Sequence, residues 1–286
     1  MLNLSKTAIP KTFRMSTHQN VAAHLINLHS EAEINLSYIL KLISSDPVLT
    51  AQILFIANNH FLNSEQPVNS VEQAMVVLGI PMISELVMSL CFLSIFEQNN
   101  QKKYFNSYWM HSLQTAVTMK VLADNFDSEN ANFLYTAGLV HDIGKRYLHT
   151  LLGGDYTTII QTSAERGNNL FEQEKKILGV DHGEVGAHLL KHWKLPDNII
   201  NIVRYHHHPE DFNSGSKLDF WIRLVHMGNL LAHTLENDLL SYADLKKLDQ
   251  GYKDYFSISE DSFDRIIKLI KKELQLKQPI IEILGN

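Results

Sequence analysis

Cysteine is almost absent from this sequence of 286 residues, since Cys91 is the single example. One cysteine excludes an intrachain disulfide, and nothing in its use indicates an oxidising compartment. Cys91 lies within an apolar run. A buried small hydrophobic side chain is therefore its expected role.

An excess of positive charge is also missing. Lysine and arginine number 25 against 31 aspartates and glutamates, which gives a formal net charge of -6 and a pI near 6.2. A protein that binds nucleic acid through phosphate contacts would be expected to carry a basic surface. The sequence therefore predicts no nucleic-acid partner.

Targeting and membrane segments are scarce as well. No apolar stretch follows the basic residues near the N-terminus, so a signal peptide is not expected. The apolar run 74–96 could just span a bilayer. However, Gly79 and Pro81 interrupt it in the way typical of a helix end followed by a new helix start. Two helices of a soluble protein explain the run better, and the sequence predicts a cytoplasmic protein without a membrane span.

Strand signals are few, whereas helical periodicity is nearly continuous. Gly, Pro, Asn and Ser cluster between runs of helical spacing rather than between alternating runs. Asp46-Pro47 is typical of an N-cap followed by proline at the first helical position. The predicted helices cover 36–43, 48–59, 108–126, 131–152, 156–165, 170–178, 183–195, 197–205, 218–239 and 262–274. The predicted fold class is all-α.

The stretch from Gly138 to Lys145 reads Gly-Leu-Val-His-Asp-Ile-Gly-Lys and brings the candidate site residues His141, Asp142 and Lys145 close together in the sequence. On a continuous helix, His141 and Asp142 would point about 100° apart, and both could still reach one ion from two flanks. Lys145 follows His141 by one turn and could hold a phosphate oxygen as a point charge. Adjacent imidazole and carboxylate groups favour a divalent first-row metal over magnesium or calcium.

Other histidines flank this stretch on separate predicted helices. His111 precedes it, and His182 and the run His206-His207-His208 follow it. The chain has 15 histidines, so any one of them alone is more often a surface or hydrogen-bonded core residue than a ligand. Their joint occurrence around His141-Asp142 is the feature that favours a metal site.

The N-terminal half carries a more diagnostic set of motifs. These are Ile9-Pro10, Leu40 to Ile43, Asp46-Pro47-Val48-Leu49-Thr50, Ile56-Ala57-Asn58-Asn59, Val71-Glu72-Gln73-Ala74 and Leu78-Gly79. With the His-Asp pair, their order resembles the HDOD domain, a bacterial signalling module of the HD superfamily of metal-dependent phosphohydrolases. The resemblance covers about the first 210 residues, and the helix through Asn229 extends it. It implies an N-terminal helical lobe packed on an HD-like helical lobe.

The resemblance also suggests how the chain is divided. Residues 1–100 would form the N-terminal helical lobe of the HDOD domain, and residues 101–239 the HD-like lobe with the candidate metal site. The polar stretch 98–103 would mark the boundary between them. Residues 240–286 would form a C-terminal helical extension that either caps the domain or mediates a homodimer.

Matching the superfamily position by position implies a ligand set and a cofactor. The implied metal ligands are His111, His141, Asp142, His182, His206, His207 and Asn229. Members with two metals use Asp142's equivalent as a bridge, so one or two ions of iron, zinc or manganese are expected. If the protein is an enzyme, Asp142 and Lys145 are the expected catalytic residues, and an ion with an open position would supply a Lewis acid and hydroxide.

A departure from the superfamily pattern argues against an ordinary enzyme, and a missing motif argues against one branch of the superfamily. Asn229 stands where the superfamily closes the first metal site with aspartate, and an uncharged amide oxygen is a weaker ligand. His226, three residues earlier, is a poor substitute because it lies one turn away. The residues after His206-His207 contain no Gly-Tyr-Pro. Cyclic-di-GMP phosphodiesterase activity is therefore not expected.

Three functions remain open. The first is a signalling or regulatory protein that binds a signalling partner or a small phosphorylated ligand. The second is a metal-dependent phosphohydrolase acting on a nucleotide or another phosphoester. The third is a structural adaptor whose histidines merely pack.

Overall fold

The computed structural model describes residues 40, 43–44, 47–60, 68–96, 102–235 and 255–277. Within these ranges the chain forms α-helices, the short 3-10 helices Ser128–Asn130 and Pro209–Asp211, and connecting turns, with no strand. The α-helices are α1 Pro47–His60, α2 Val71–Phe96, α3 Lys102–Phe126, α4 Ala131–Val140, α5 Ile143–Leu152, α6 Gly154–Glu165, α7 Leu170–Leu178, α8 His182–His192, α9 Asp197–Tyr205, α10 Lys217–Leu235 and α11 Glu260–Leu276. The all-α prediction is confirmed.

Helix α2 is a pair of helical segments that meet at Gly79. The φ of Gly79 is 78° and its ψ is 159°, a conformation that L side chains rarely adopt. Pro81 follows, where its missing amide is tolerated in the first turn of the second segment. The sequence prediction of a helix end and a new start at this point is therefore confirmed.

The stretch Val71–Leu90 of α2 is long and apolar enough to cross a membrane, with a mean hydropathy of 1.7, and 56% of it is buried inside the protein. Glu85 lies within this stretch and is 1% exposed. The Glu85 carboxylate forms ion pairs with Lys120 of α3 and with Lys277 at the end of α11. These are the contacts of a core helix, because lysines of the same chain compensate its buried charge.

One continuous hydrophobic core joins the two predicted lobes. It contains residues from α1 to α6 and from α8 to α11, among them Leu49, Ile83, Leu113 and Ile266. Helix α1 packs on α2, and α2 packs on α3 and α4. The described part of the N-terminal lobe thus lies against the helices that carry the histidines, as the resemblance implied.

Helices α3, α4 and α10 approach each other closely around Met119. A Cβ atom at Gly138 of α4 would lie 2.8 Å from Met119 Cγ, and one at Gly228 of α10 would lie 2.5 Å from Met119 Sδ. Glycine at both positions leaves room for this side chain, which is fully buried. Helices α3 and α10, which carry His111 and Asn229, and helix α4, which ends just before His141, are therefore held at short range.

The predicted helix 131–152 is wrong as a single element. It ends at Val140, and a new helix begins at Ile143, so that His141 and Asp142 form the turn between α4 and α5. Apolar spacing continues across the turn, which is why the sequence gives no sign of a break. The break comes from tertiary packing, since α5 leaves the line of α4 to lie against α8.

Other helix boundaries differ by a few residues. The predicted helix 183–195 begins one residue earlier and ends at His192, and Lys194 beyond it has a positive φ of 58°. The capping box of Asp181 and Glu184 explains the earlier start, because each side chain accepts a hydrogen bond from the other's backbone amide. His182 is therefore the first residue of α8.

Several predictions fall on residues that are not described. They include Ile9-Pro10, most of helix 36–43, most of the polar stretch 98–103, and residues 240–254 and 278–286 of the extension. Within the extension, α11 contains the predicted helix 262–274 and packs on α3.

Candidate metal centre

Asp142 lies at the centre of the predicted ligand set, and its side chain is 3% exposed. Its Oδ2 atom is 3.3 Å from His141 Nε2 and 3.6 Å from His111 Nε2. Its Oδ1 atom is 3.1 Å from His182 Nε2 and 3.5 Å from His206 Nε2. Each carboxylate oxygen thus faces one pair of histidines, as a bridging carboxylate would.

Two groups of donor atoms could each hold one metal ion. One consists of His111, His141 and Asp142; the other consists of Asp142, His182, His206 and His207, and within each group the donor atoms lie within 4.8 Å of one another. These residues come from the α4–α5 turn, α3, α8 and the end of α9. All of the sequence-predicted histidines are therefore brought together.

The histidine rings are oriented by hydrogen bonds on their outer nitrogens. His141 Nδ1 donates to the carbonyl oxygen of Gly138 at 2.7 Å, and His206 Nδ1 donates to that of Val203 at 2.7 Å. A carbonyl can only accept, so the proton of each neutral ring is on Nδ1. The Nε2 lone pairs therefore point into the centre, as metal-ligating histidines require.

Buried atoms at the centre lack hydrogen bonds of good geometry from the described residues. They are Nε2 of His141, Nε2 of His206 and Oδ1 of Asp142. A buried polar atom left without a partner costs about 1–3 kcal/mol. His206 Nε2 and Asp142 Oδ1 belong to one donor group and His141 Nε2 to the other, so each group has a buried donor atom that a divalent cation would satisfy.

The protonation of these histidines follows from burial and from neighbouring charge. Burial lowers the pKa of His206 to about 4 and holds that of His141 below its usual value, so both rings are neutral near pH 7. Burial also lowers the pKa of His182, but the Glu174 and Asp142 carboxylates outweigh it and raise the value to about 9. A metal at His182 would therefore have to displace a proton, whereas His141 and His206 are ready to ligate.

Glu174 is a site residue that the sequence analysis missed. It is fully buried, and its Oε2 accepts hydrogen bonds from the Nδ1 of His182 at 2.7 Å and from the backbone amide of His182 at 2.8 Å. Its Oε1 accepts from the hydroxyl of Tyr156 at 2.5 Å. The sequence feature that could have identified Glu174 is its spacing. It is four residues from both Leu170 and Leu178, on the inward face of α7.

Although burial raises the pKa of a carboxyl group, the net shift at Glu174 is downward. The nearby His182 cation and the hydrogen bonds from His182 and Tyr156 outweigh burial and keep the pKa of Glu174 below its usual value. Glu174 is therefore a buried carboxylate behind His182. Carboxylate–histidine pairs of this kind fix the ring and raise its basicity as a ligand.

Lys145 and Asn229 both contact the centre. Lys145 Nζ is 2.5 Å from Asp142 Oδ2, and the lysine side chain is 10% exposed. Asn229 Oδ1 is 2.9 Å from His111 Nε2. The structure thus brings Asn229 to the position that the sequence assigned to it, next to the first histidine.

The remaining histidines near the centre have other contacts. His226 Nδ1 donates to the backbone carbonyl of His206 at 2.6 Å, so it supports a neighbouring segment rather than replacing Asn229. The side chain of His208 is 39% exposed and lies 3.5 Å from Glu210, as expected for a solvent-facing neighbour. His233 stacks on His111 with ring centroids 4.1 Å apart, a contact that sequence reasoning did not identify.

Comparison with known proteins gives a family match over most of the chain. A family model described as HDOD domain matches residues 15–209. An uncharacterised protein of Treponema pallidum is 23% identical over 185 residues, which is 63% of this chain and 36% of that protein. Ribonuclease Y of Lactobacillus acidophilus is 25% identical over 194 residues, which is 64% of this chain and 28% of that protein. The chain spans about a third of the length of these curated relatives.

Solved structures share the fold over nearly the whole chain. A provisionally assigned phosphohydrolase of Shewanella amazonensis is 20% identical with a TM-score of 0.68, covering 95% of this chain and 93% of that one. A provisionally assigned signal transduction protein of Marinobacter aquaeolei is 19% identical with a TM-score of 0.75, covering 99% of this chain and 60% of that one. At these identities the likeness establishes the fold.

Proposed function

This chain belongs to the HDOD domain family, and on that premise we propose that it is a bacterial regulatory protein that acts by binding a ligand or partner. A divalent metal held by the His-Asp cluster is part of this proposal. Lys145 would contact a phosphate group of a small ligand, while a signalling protein would be the alternative partner.

The proposed location is the cytoplasm, and neither nucleic acid nor a membrane is a proposed partner. The proposed lobes are residues 1–100 and 101–239, followed by the extension 240–286.

The observation that carries the regulatory proposal is Asn229 beside His111. Its amide oxygen lies 2.9 Å from the histidine nitrogen, at the position where the superfamily closes its site with a carboxylate. A neutral ligand leaves one positive charge of a divalent ion uncompensated. This lowers the affinity of the site for the ion that a hydrolase would need there. Lys145 also engages Asp142 directly, which adds positive charge to the same side.

The proposed metal is iron, zinc or manganese, as one or two ions. Nitrogen-rich donor sets with a carboxylate favour these ions over magnesium and calcium. The proposed ligands are His111, His141, Asp142, His182, His206, His207 and Asn229. When bound, such an ion supplies Lewis acidity.

A second candidate function is phosphoester hydrolysis by a metal-dependent enzyme. It is favoured by Asp142, whose two oxygens face separate histidine groups as a two-metal phosphohydrolase would need. In that case Asp142 and Lys145 would be the catalytic residues. Lys145 would bind the phosphate after releasing Asp142.

One experiment separates these two functions. The protein, loaded with manganese or iron, is incubated with nucleoside mono-, di- and triphosphates and with bis(p-nitrophenyl) phosphate. We expect at least one nucleotide to raise the melting temperature, since ligand at 100 times its Kd stabilises by about 2.7 kcal/mol, and to be recovered intact. Phosphate release should match that of Asp142→Ala. Turnover at about 1 s⁻¹ or faster that is lost in His141→Ala would instead establish the enzyme.

Glu174 provides a further test of the metal site. We expect Glu174→Gln to weaken metal binding by about 10- to 100-fold, because the carboxylate that orients His182 and increases its basicity is lost. The measurement is competition for zinc against a chelator of known affinity. Glu172→Gln is the matched control, since Glu172 lies on the same helix but is exposed. Equal affinity of the two variants would mean that His182 is not a ligand.

A further inference from the structure

We infer that the two halves of the centre bind metal unequally, and that the first divalent ion enters the half formed by His182, His206, His207 and Oδ1 of Asp142. We call this group the late half-site. The early half-site consists of His111, His141, Asn229 and Oδ2 of Asp142, and it binds a second ion only weakly. This inference deepens the proposed function and rests on the metal binding proposed there.

The late half-site has a full set of donors around one point. His182 Nε2 is 3.1 Å from Asp142 Oδ1 and 2.7 Å from His207 Nε2, while His206 Nε2 is 3.5 Å from the same carboxylate oxygen. Three imidazole nitrogens and one carboxylate oxygen form the set. These donor atoms lie within 4.8 Å of one another, so the same four side chains could ligate one zinc or iron ion.

Each ring of the late half-site is fixed from its outer side. Glu174 holds His182, the carbonyl oxygen of Val203 holds His206, and Phe171 stacks on His207 with ring centroids 4.4 Å apart and an interplanar angle of 21°. Ligands held in this way lose little conformational freedom when an ion binds. The late half-site is therefore preorganised.

Groups of the protein itself already engage the early half-site. Lys145 contacts Asp142 Oδ2, the oxygen that faces His111 and His141. Asn229 Oδ1 lies at hydrogen-bond distance from His111 Nε2. An ion entering here must give up or share both contacts. In the late half-site an ion must replace the 2.7 Å hydrogen bond between His182 Nε2 and His207 Nε2, but Asp142 Oδ1 has no hydrogen bond of good geometry from the described residues.

The charges around the two half-sites also favour binding of the first ion in the late half-site. Both share Asp142, but the late half-site has the buried carboxylate of Glu174 behind His182. The early half-site has a neutral amide instead of a carboxylate and the ammonium group of Lys145 nearby. A divalent cation is therefore better compensated in the late half-site.

The test is metal stoichiometry of the full chain, measured by elemental mass spectrometry after incubation with a small excess of zinc or of manganese and gel filtration. We expect about one ion per chain in the wild type. His111→Ala should keep that ion, whereas His207→Ala should lose it, with affinity at least tenfold lower. Asn229→Asp adds the missing carboxylate and is expected to raise the stoichiometry from one ion to two. Circular dichroism of each variant identifies any that has failed to fold.

The outcomes distinguish this inference from the proposal on which it rests. An ion lost in His111→Ala but kept in His207→Ala would overturn the inference and leave metal binding intact. Two ions of equal affinity in the wild type would do the same. No ion in the folded wild type, even after reconstitution, would overturn both.

Discussion

Replacing Gly144 with alanine is expected to destabilise the protein by more than about 3 kcal/mol, at or above the upper end of the usual cost of overpacking a core. A Cβ atom at this position would overlap the carbonyl oxygen of His182, and it would also lie 2.7 Å from the carbonyl carbon of His182 and 2.8 Å from the amide nitrogen of Gly186. These are backbone atoms of α8, so no side-chain rotation can relieve the overlap. Helices α5 and α8 would have to separate.

The separation would also affect the metal centre, because α5 follows Asp142 and α8 begins with His182. The matched control is Gly154→Ala at the start of α6, where nothing lies within 4 Å of an added Cβ atom. Alanine there should be neutral or stabilising by up to about 1 kcal/mol. The free energy of unfolding is measured by urea denaturation followed by circular dichroism. Equal stability of the two variants would show that α5 and α8 are further apart than these distances require.

Replacing Glu85 with alanine is expected to cost about 3–5 kcal/mol, because removal of one partner from a buried ion pair leaves an uncompensated charge. Lys277 is 1% exposed and would lose its carboxylate partner, while Lys120, whose side chain is 20% exposed, can turn toward water. Burial already lowers the pKa of Lys277 despite the opposing effect of Glu85. Removal of Glu85 should therefore also loosen the end of α11 from α2.

Further variants, measured by urea denaturation, test whether this loss of stability comes from the buried ion pair. Lys175→Ala breaks the exposed pair with Glu184 and should cost less than about 1 kcal/mol. The double variant of Glu85→Met and Lys277→Met should recover most of the stability, because it removes the buried charges together. A loss below about 1 kcal/mol in Glu85→Ala would contradict the buried network.

The sequence predicts the helices and the histidine set well because both depend on local spacing or on the order of motifs. Proline at position 47 and glycine at position 79 mark helix boundaries through their own backbone preferences. The histidines match positions of a known pattern, and the structure brings them around Asp142. Asn229, expected beside the first histidine, is found 2.9 Å from His111 Nε2.

The features that the sequence did not predict depend on contacts between distant segments. The turn at His141-Asp142 is set by the packing of α5 on α8, which apolar periodicity does not encode. Glu174 is one acidic residue in a helix of otherwise exposed charges, and only the position of His182 gives it a role. The partner of Glu85 at Lys277 is 192 residues away, beyond any local pattern.

We propose that the buried His-Asp cluster holds a divalent metal. Its most direct test is elemental mass spectrometry of the full chain, purified without a histidine tag, alongside Asp142→Ala prepared in the same way. Because Asp142 faces both histidine groups, we predict at least one equivalent of iron, zinc or manganese in the wild type and none in the variant. A folded wild-type protein that contains no metal, even after reconstitution, would contradict the account and leave the histidines as packing residues.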